Sequence, residues 1–461
     1  MISSSLLEGI RRNSALFCFG LMLAFCLLPG YKVLLAQQNP PRQVPVESLI
    51  YDLQNPDPVR RKEAAILLGN NKLQRATPDL VAAANDKDPA VRREIVIALH
   101  KMADIRALPA FIELTADPEK DIRDKCIQGI VSLYLPKEGG LGVTLNKVAN
   151  FLNPWSDEWE DTIVEAGTEI DPKTVTALQE RLKDSDEAIR ARAARALGIL
   201  RGKVALPGLI ETLRQDNSNP VRFETIRALR KISDLSTGKE LIPYISFSDS
   251  RIRNEAVFTL GRFRYREAAS ELMRAYETES ALPPKKQDKN YHAMLLDALA
   301  FIGDASSEDL FTKETKSQNE VIRLHAYEGL ARIGNPKMVT DLSRDRLNEK
   351  DPKIRIAQAY ALFLMGRREY LDEIVKALDN RKTNNEARQY LVELRPEDLS
   401  DLYSETKFKE VSIREGLAEI MGIIGDNKAV PVLQEMSNDH RGQITALCNQ
   451  ALRRIAARTG S

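Results

Sequence analysis

Residues 184–200 read DSDEAIRARAARALGIL, a run of strong helix formers with a polar start and a small-residue face. Ala193, Ala194, Ala196 and Leu197 fall at helical spacing and define an inward stripe, while Asp186 stands where a side-chain oxygen accepts from the free N–H groups of a first helical turn. Counting from Arg190, the same pattern of arginine followed by small or apolar residues three, four, six and seven places on recurs along the chain. It returns at Arg61, Arg92, Arg123, Arg222, Arg253, Arg323, Arg355, Arg388 and Arg414, with His292 and Thr445 in the same register. Most steps are 31 to 33 residues; the exceptions are 67 after Arg123, 39 after Arg253 and 26 after Arg388. A chain of 461 residues with this self-similarity is an array of small units, not one compact core.

Three other features keep the phase. Four places before the register position stand Asp57, Asp88, Asp186, Asp249 and Asp351, helix-capping residues, with Pro58, Pro89 and Pro352 next to three of them, where a missing N–H costs nothing. Eleven places after it come Gly303, Gly334, Gly366 and Gly425, the residue type that ends a helix in a left-handed conformation. Seventeen places after it come Pro78, Pro109, Pro207 and Pro431, each starting a second helix. Each unit is therefore two short antiparallel helices, marginal alone and stabilised by stacking on its neighbours. The aspartates and the arginines Arg61, Arg92, Arg190, Arg253 and Arg355 are read as structural caps and inter-unit ladder bonds, because they recur in nearly every unit whereas an active site is needed only once.

The segments DEAIRARAARALG and DPAVRREIVIAL resemble HEAT repeats, in the short form named after the phycobilin lyases. The resemblance covers about residues 50–458 and implies an all-α fold: a right-handed α-solenoid of about twelve to thirteen two-helix repeats, one of them degenerate. It further implies that second helices line a concave face that holds other proteins. Tetratricopeptide and ankyrin signatures are missing.

The long step marks the degenerate repeat, an interruption at residues 136–170. Its second helix begins normally at Asp171 and Pro172, but the first is replaced by a stretch holding Phe151 and both tryptophans, Trp155 and Trp159, among Asp157, Glu158, Glu160 and Asp161. The aromatic residues either fold back as a plug for the missing helix, the preferred reading, or anchor a partner; Phe151, Trp155 and Trp159 are the best local candidates for partner binding. Residues 277–291, which account for the 39-residue step, read as an exposed loop.

Residues 1–36 form a signal peptide, with Arg11 and Arg12 before an apolar run and Ala36 before a Pro-rich linker at residues 37–49; the alternative is an uncleaved inner-membrane anchor. Its removal leaves 64 basic and 65 acidic residues, a balance that offers no general attraction to nucleic acid. No catalytic motif is found, the four histidines fall in different repeats, and Cys126 and Cys448 occupy core-facing positions, so neither a catalytic residue, a cofactor nor a metal ligand is assigned. The expected function is an exported, non-enzymatic scaffold or assembly factor for a protein or peptide partner in the bacterial cell envelope, periplasmic or secreted. The alternatives are an accessory subunit resembling the phycobilin lyases and a self-associating structural envelope protein.

Overall fold

The structure is a computed structural model that describes residues 45–135, 162–164 and 167–459. The expected leader at residues 1–36, most of the linker, and Phe151, Trp155 and Trp159 lie outside the described residues. Among the described residues there are 24 α-helices and no strand. Helix α1 (Val46–Asp52) opens the array. Then follow α2 (Pro58–Asn70) with α3 (Thr77–Ala82), α4 (Pro89–Met102) with α5 (Leu108–Leu114), and α6 (Lys120–Tyr134). After the interruption come α7 (Pro172–Arg181), α8 (Glu187–Ile199) with α9 (Leu206–Gln215), α10 (Asn219–Ile232) with α11 (Gly238–Leu241), and α12 (Ser250–Arg262) with α13 (Ala269–Ser280). The last part holds α14 (Lys289–Ile302) with α15 (Glu308–Glu314), α16 (Glu320–Ile333) with α17 (Val339–Arg346), and α18 (Pro352–Leu364) with α19 (Leu371–Lys376). It ends with α20 (Asn384–Val392) and α21 (Leu399–Tyr403), α22 (Val411–Ile424) and α23 (Ala429–Met436), and α24 (Ile444–Thr459). First helices pack on first helices and each second helix packs on its neighbours, so one continuous apolar core runs along the solenoid.

The two aspartate functions separate in space. Asp57, Asp88, Asp186, Asp249 and Asp351 each accept a backbone N–H two residues on within their own helix, at 2.8–2.9 Å. The register arginine bonds instead to an acid six places before the next register position. Arg61 thus pairs with Asp86, Arg92 with Asp117, Arg123 with Asp184 and Arg190 with Asp216, at 2.5–2.9 Å. The same carboxylate accepts the N–H of the following cap residue, as Asp216 does from Ser218, so one acid ties two units and a helix start together. Where the row changes, the chemistry changes with it. Arg253 pairs with the cap residue Asp288 at 2.7 Å, and Arg222, facing Phe247, stacks on its ring at 5.5 Å. The Arg355 side chain donates to the carbonyls of Arg346 and Glu349.

Two details depart from the sequence reading. Gly425 ends α22 at φ −63° and is not left-handed. The left-handed turn is nonetheless general: at the same place after the register position, Lys72, Ala103, Arg201, Ser233 and Arg264 take φ values between 49° and 60°, as Gly303 and Gly334 do at 62° and 69°. The unit geometry dictates the turn, and glycine only removes its cost.

The array curves toward the first helices, not the second, which corrects the expected concave side. Among the described residues, the hydrogen bonds and ion pairs between helices that skip units join first-helix rows: Tyr390 of α20 reaches back to Glu328 of α16 at 2.6 Å, and Glu393, just after α20, meets both Arg332 at 2.7 Å and Arg264, just past α12, at 2.8 Å. Hydrogen bonds and ion pairs between second helices join immediate neighbours among the described residues. The reason is size: first helices meet through glycine and alanine, and their axes come close enough to bend that row inward. A Cβ on Gly69, Gly198 or Gly261 would lie 2.6–2.7 Å from the Cα of Ala98, Ala228 or Ala298 in the next unit.

Candidate binding face

The inward face of the first helices is built from the residues two, five and nine places after the register position, which share one side of a helix. The fifth residue of one unit meets the second of the next. Arg195 pairs in this way with Glu224 at 2.5 Å, Asp297 faces His325 at 3.5 Å, and Tyr360 stacks on Tyr390 with centroids 4.5 Å apart. The ninth positions form a second column, in which Arg262 and Arg332 lie 3.8 and 4.3 Å from the centroid of Phe301 between them. Arg262 also lies 4.8 Å from the Phe258 centroid, and its side chain is exposed to the concavity.

At the centre of this face His325 donates toward Glu328, 3.0 Å away, and Glu328 accepts from the Tyr390 hydroxyl. Burial opposes the imidazolium, but the Glu328 hydrogen bond and the Asp297 charge outweigh it, so the His325 pKa is raised above its ordinary value. Burial likewise opposes ionisation of Glu328; His325, Arg332 and Tyr390 hold its carboxylate below the usual range. Arg332, only 4 % exposed, is kept protonated by Glu393. Asp297, His325 and Glu328 present three ligand atoms within 4.8 Å of one another, a set of metal-binding type. The charges of Arg332 and Arg262 beside the two carboxylates already balance them, so the arrangement works as an internal ion-pair network.

The amino-terminal part of the face is basic. Glu224 is shared by Arg195 and Arg227, Glu255 holds Arg230 at 2.8 Å, and Arg192 pairs with Asp124. Lys231 donates to the main-chain carbonyl of Thr162 at 3.1 Å, and the N–H of Val164 donates to the carbonyl of Ile199 at 3.0 Å, with the valine side chain buried. Residues 162–164 thus lie against the first helices α8 and α10.

The sequence reading named none of these face residues. Its cap and ladder residues lie at the ends of the first helices, away from the column at positions five and nine, and its aromatic candidates are outside the described residues. A signal was present: by register position, the fifth place carries charged or aromatic residues from Arg195 to Glu393, and the ninth does so from Lys231 to Arg332, where a uniformly packed helix would repeat alanine or leucine. Cys126 and Cys448 are buried in the core, and burial pushes the Cys126 thiol up, which suits packing residues.

A family model described as HEAT repeats matches residues 46–130, 161–230 and 206–283. No curated protein is similar to this chain in sequence. Among solved structures, an engineered protein is 18% identical over 89% of this chain and 98% of its own, with a TM-score of 0.41. The complex of CpcE and CpcF of phycocyanin lyase from Nostoc sp. PCC7120 is 20% identical over 64% of this chain and 97% of that one, with a TM-score of 0.25. With its helix pairs, its recurring arginine register and the matched segments, the chain is an all-α solenoid that carries HEAT repeats.

Proposed function

We propose that this protein is a non-enzymatic scaffold or assembly factor, exported to the bacterial cell envelope, that holds a protein or peptide segment on its concave first-helix face. The observation that carries the reading is the column of Arg262, Phe301 and Arg332: aromatic and guanidinium groups fixed by neighbouring units, with Arg262 exposed at the centre of the curve. Arginine and aromatic groups held in place before binding lose little entropy on contact and dominate protein interfaces. Export rests on the sequence of residues 1–36.

The test is a cross-linked pull-down from envelope extract, with fractionation of the producing cells. A stoichiometric protein partner is expected, bound about 30-fold more weakly by an Arg262→Ala variant of unchanged helix content, the size of one interface anchor. Recovery of the protein from the cytosol with its amino terminus intact would count against export. Capture that ignores Arg262→Ala would count against this face.

A further inference from the structure

Guanidinium groups on the concave face are held by carboxylates: Arg195 by Glu224, Arg230 by Glu255, Arg332 by Glu393. Arg262, the last residue of α12, departs from this rule. Among the described residues it makes no hydrogen bond and no ion pair, and its side chain is exposed. What it touches are rings, with the Phe301 centroid 3.8 Å and the Phe258 centroid 4.8 Å from the guanidinium carbon. Ring faces attract the charge but accept none of the five N–H donors of its fork.

The acids around it are already engaged by other groups. Asp297 faces His325, Glu328 holds His325 and Tyr390, and Glu393 holds Arg332 and Arg264. Burial accordingly keeps the Arg262 pKa below its ordinary value, and the Asp297 charge offsets this only in part. The group nevertheless stays protonated at any physiological pH.

A planar fork of donors, restrained by two rings and open to the concavity, matches a carboxylate, which takes two parallel N–H bonds from it. The fixed side chain loses little freedom on binding, and the apolar rings beside it strengthen the attraction. The charges of Asp297, Glu328 and Glu393 act on the same spot and repel a dianion more than a monoanion, so a carboxylate fits better than a phosphate. We propose that Arg262 is the receptor for a carboxylate of the bound segment, so that the partner of the concave face is a peptide with an acidic residue as its anchor. This rests on the reading of that face as a protein-binding one and adds the chemistry of its occupant.

The test is a selection of displayed random peptides on the full chain, run in parallel on wild type and on Arg262→Gln of unchanged helix content. Wild type is expected to enrich peptides with Asp or Glu at one fixed position or with a free carboxy terminus, and Arg262→Gln is expected to lose that preference. The selected peptide is then made with the acid changed to its amide, and separately with an amidated carboxy terminus. One of the two changes is expected to weaken binding to wild type by about tenfold or more, which tells a side-chain carboxylate from a terminal one. On Arg262→Gln the acid and amide forms should bind alike, since the contact that separates them is gone. The change in the peptide alters nothing in the protein, so it decides even if Arg262→Gln disturbs the fold. No enrichment, enrichment without an acid, or an acid preference that survives in Arg262→Gln overturns the proposal. Peptides that lack an acid yet need Arg262 would overturn it while leaving the scaffold reading intact; that reading fails separately, in the pull-down, if partner capture ignores Arg262→Ala.

Discussion

At the scale of single residues the unit imposes its geometry on whatever side chain stands there. Ser233 is exposed and ends α10 at φ 60° and ψ 46°, a conformation that costs an L-residue about 1 kcal/mol or more. Ser233→Gly is therefore expected to stabilise the fold by about 0.5–1 kcal/mol after the greater freedom of glycine in the unfolded chain is deducted. Gly303→Ala is the converse. It keeps φ at 62° and places a Cβ 2.9 Å from that of Arg332, so its denaturation midpoint falls. The opposite signs of these two midpoint shifts are the check. His325 gives a second residue-scale prediction, because its folded pKa lies above its ordinary value of 6.5. Its stabilisation is then fully present below the unfolded value and is lost as pH rises through the folded one. The groups around it are Asp297, Glu328, Arg332 and Arg262, with Tyr390 bonded to Glu328. Urea midpoints measured from acid to mildly alkaline pH should fall for the wild type across this interval; a His325→Gln variant should be flatter there, and an unchanged slope would remove His325 from the account.

At the scale of elements, close packing of first helices is the device that bends the array. Gly198→Ala would bring a Cβ to 2.6 Å from the Cα of Ala228, a backbone atom that cannot rotate away, and is expected to cost about 1–3 kcal/mol as overpacking. Gly208→Ala, in α9, is the control. There the new Cβ meets only the flexible side chains of Gln179 and Leu182 at 3.3–3.4 Å, and the gain in helix propensity of up to about 1 kcal/mol makes it neutral or stabilising. Thermal melts that rank the two variants the other way would show that the second helices, not the first, set the tight row. The elements themselves were legible in the sequence because caps, turns and second-helix prolines are local signals in one phase. The ladder was legible only in part: Arg61 was assigned to inter-unit bonding, but its partner Asp86 belongs to the next unit and serves no cap at its own position. Which row faces inward was not legible at all. Both rows carry apolar stripes, and the decision rests on Gly198 against Ala228 and their equivalents, a comparison between positions 30 residues apart.

At the scale of the molecule, a solenoid is held to its curvature by contacts that skip units, and here these converge on Glu393. Its carboxylate receives Arg332 at 2.7 and 2.9 Å, Arg264 at 2.8 Å and the Tyr360 hydroxyl at 3.4 Å, so residues from α12 to α20 meet on one side chain. Nearest-neighbour stacking fixes the form of each joint but leaves the sum of many small rotations soft. A tie that spans five units and draws a residue from four of them stiffens that sum. Glu393→Ala would leave the Arg332 guanidinium, 4 % exposed, without its carboxylate, a defect worth about 3–5 kcal/mol at a buried pair. Since units of an array unfold semi-independently, the loss is expected in the carboxy-terminal units first, as a separate early step in thermal unfolding. Below that step the variant should scatter X-rays with a larger radius of gyration at the same helix content, because the tie is gone while the stacking remains. Glu393→Gln, which keeps an acceptor for Arg332 but no charge, should fall between the two. A variant with unchanged scattering and a single shifted transition would mean that the curvature is fixed joint by joint, and that the Glu393 cluster only follows it.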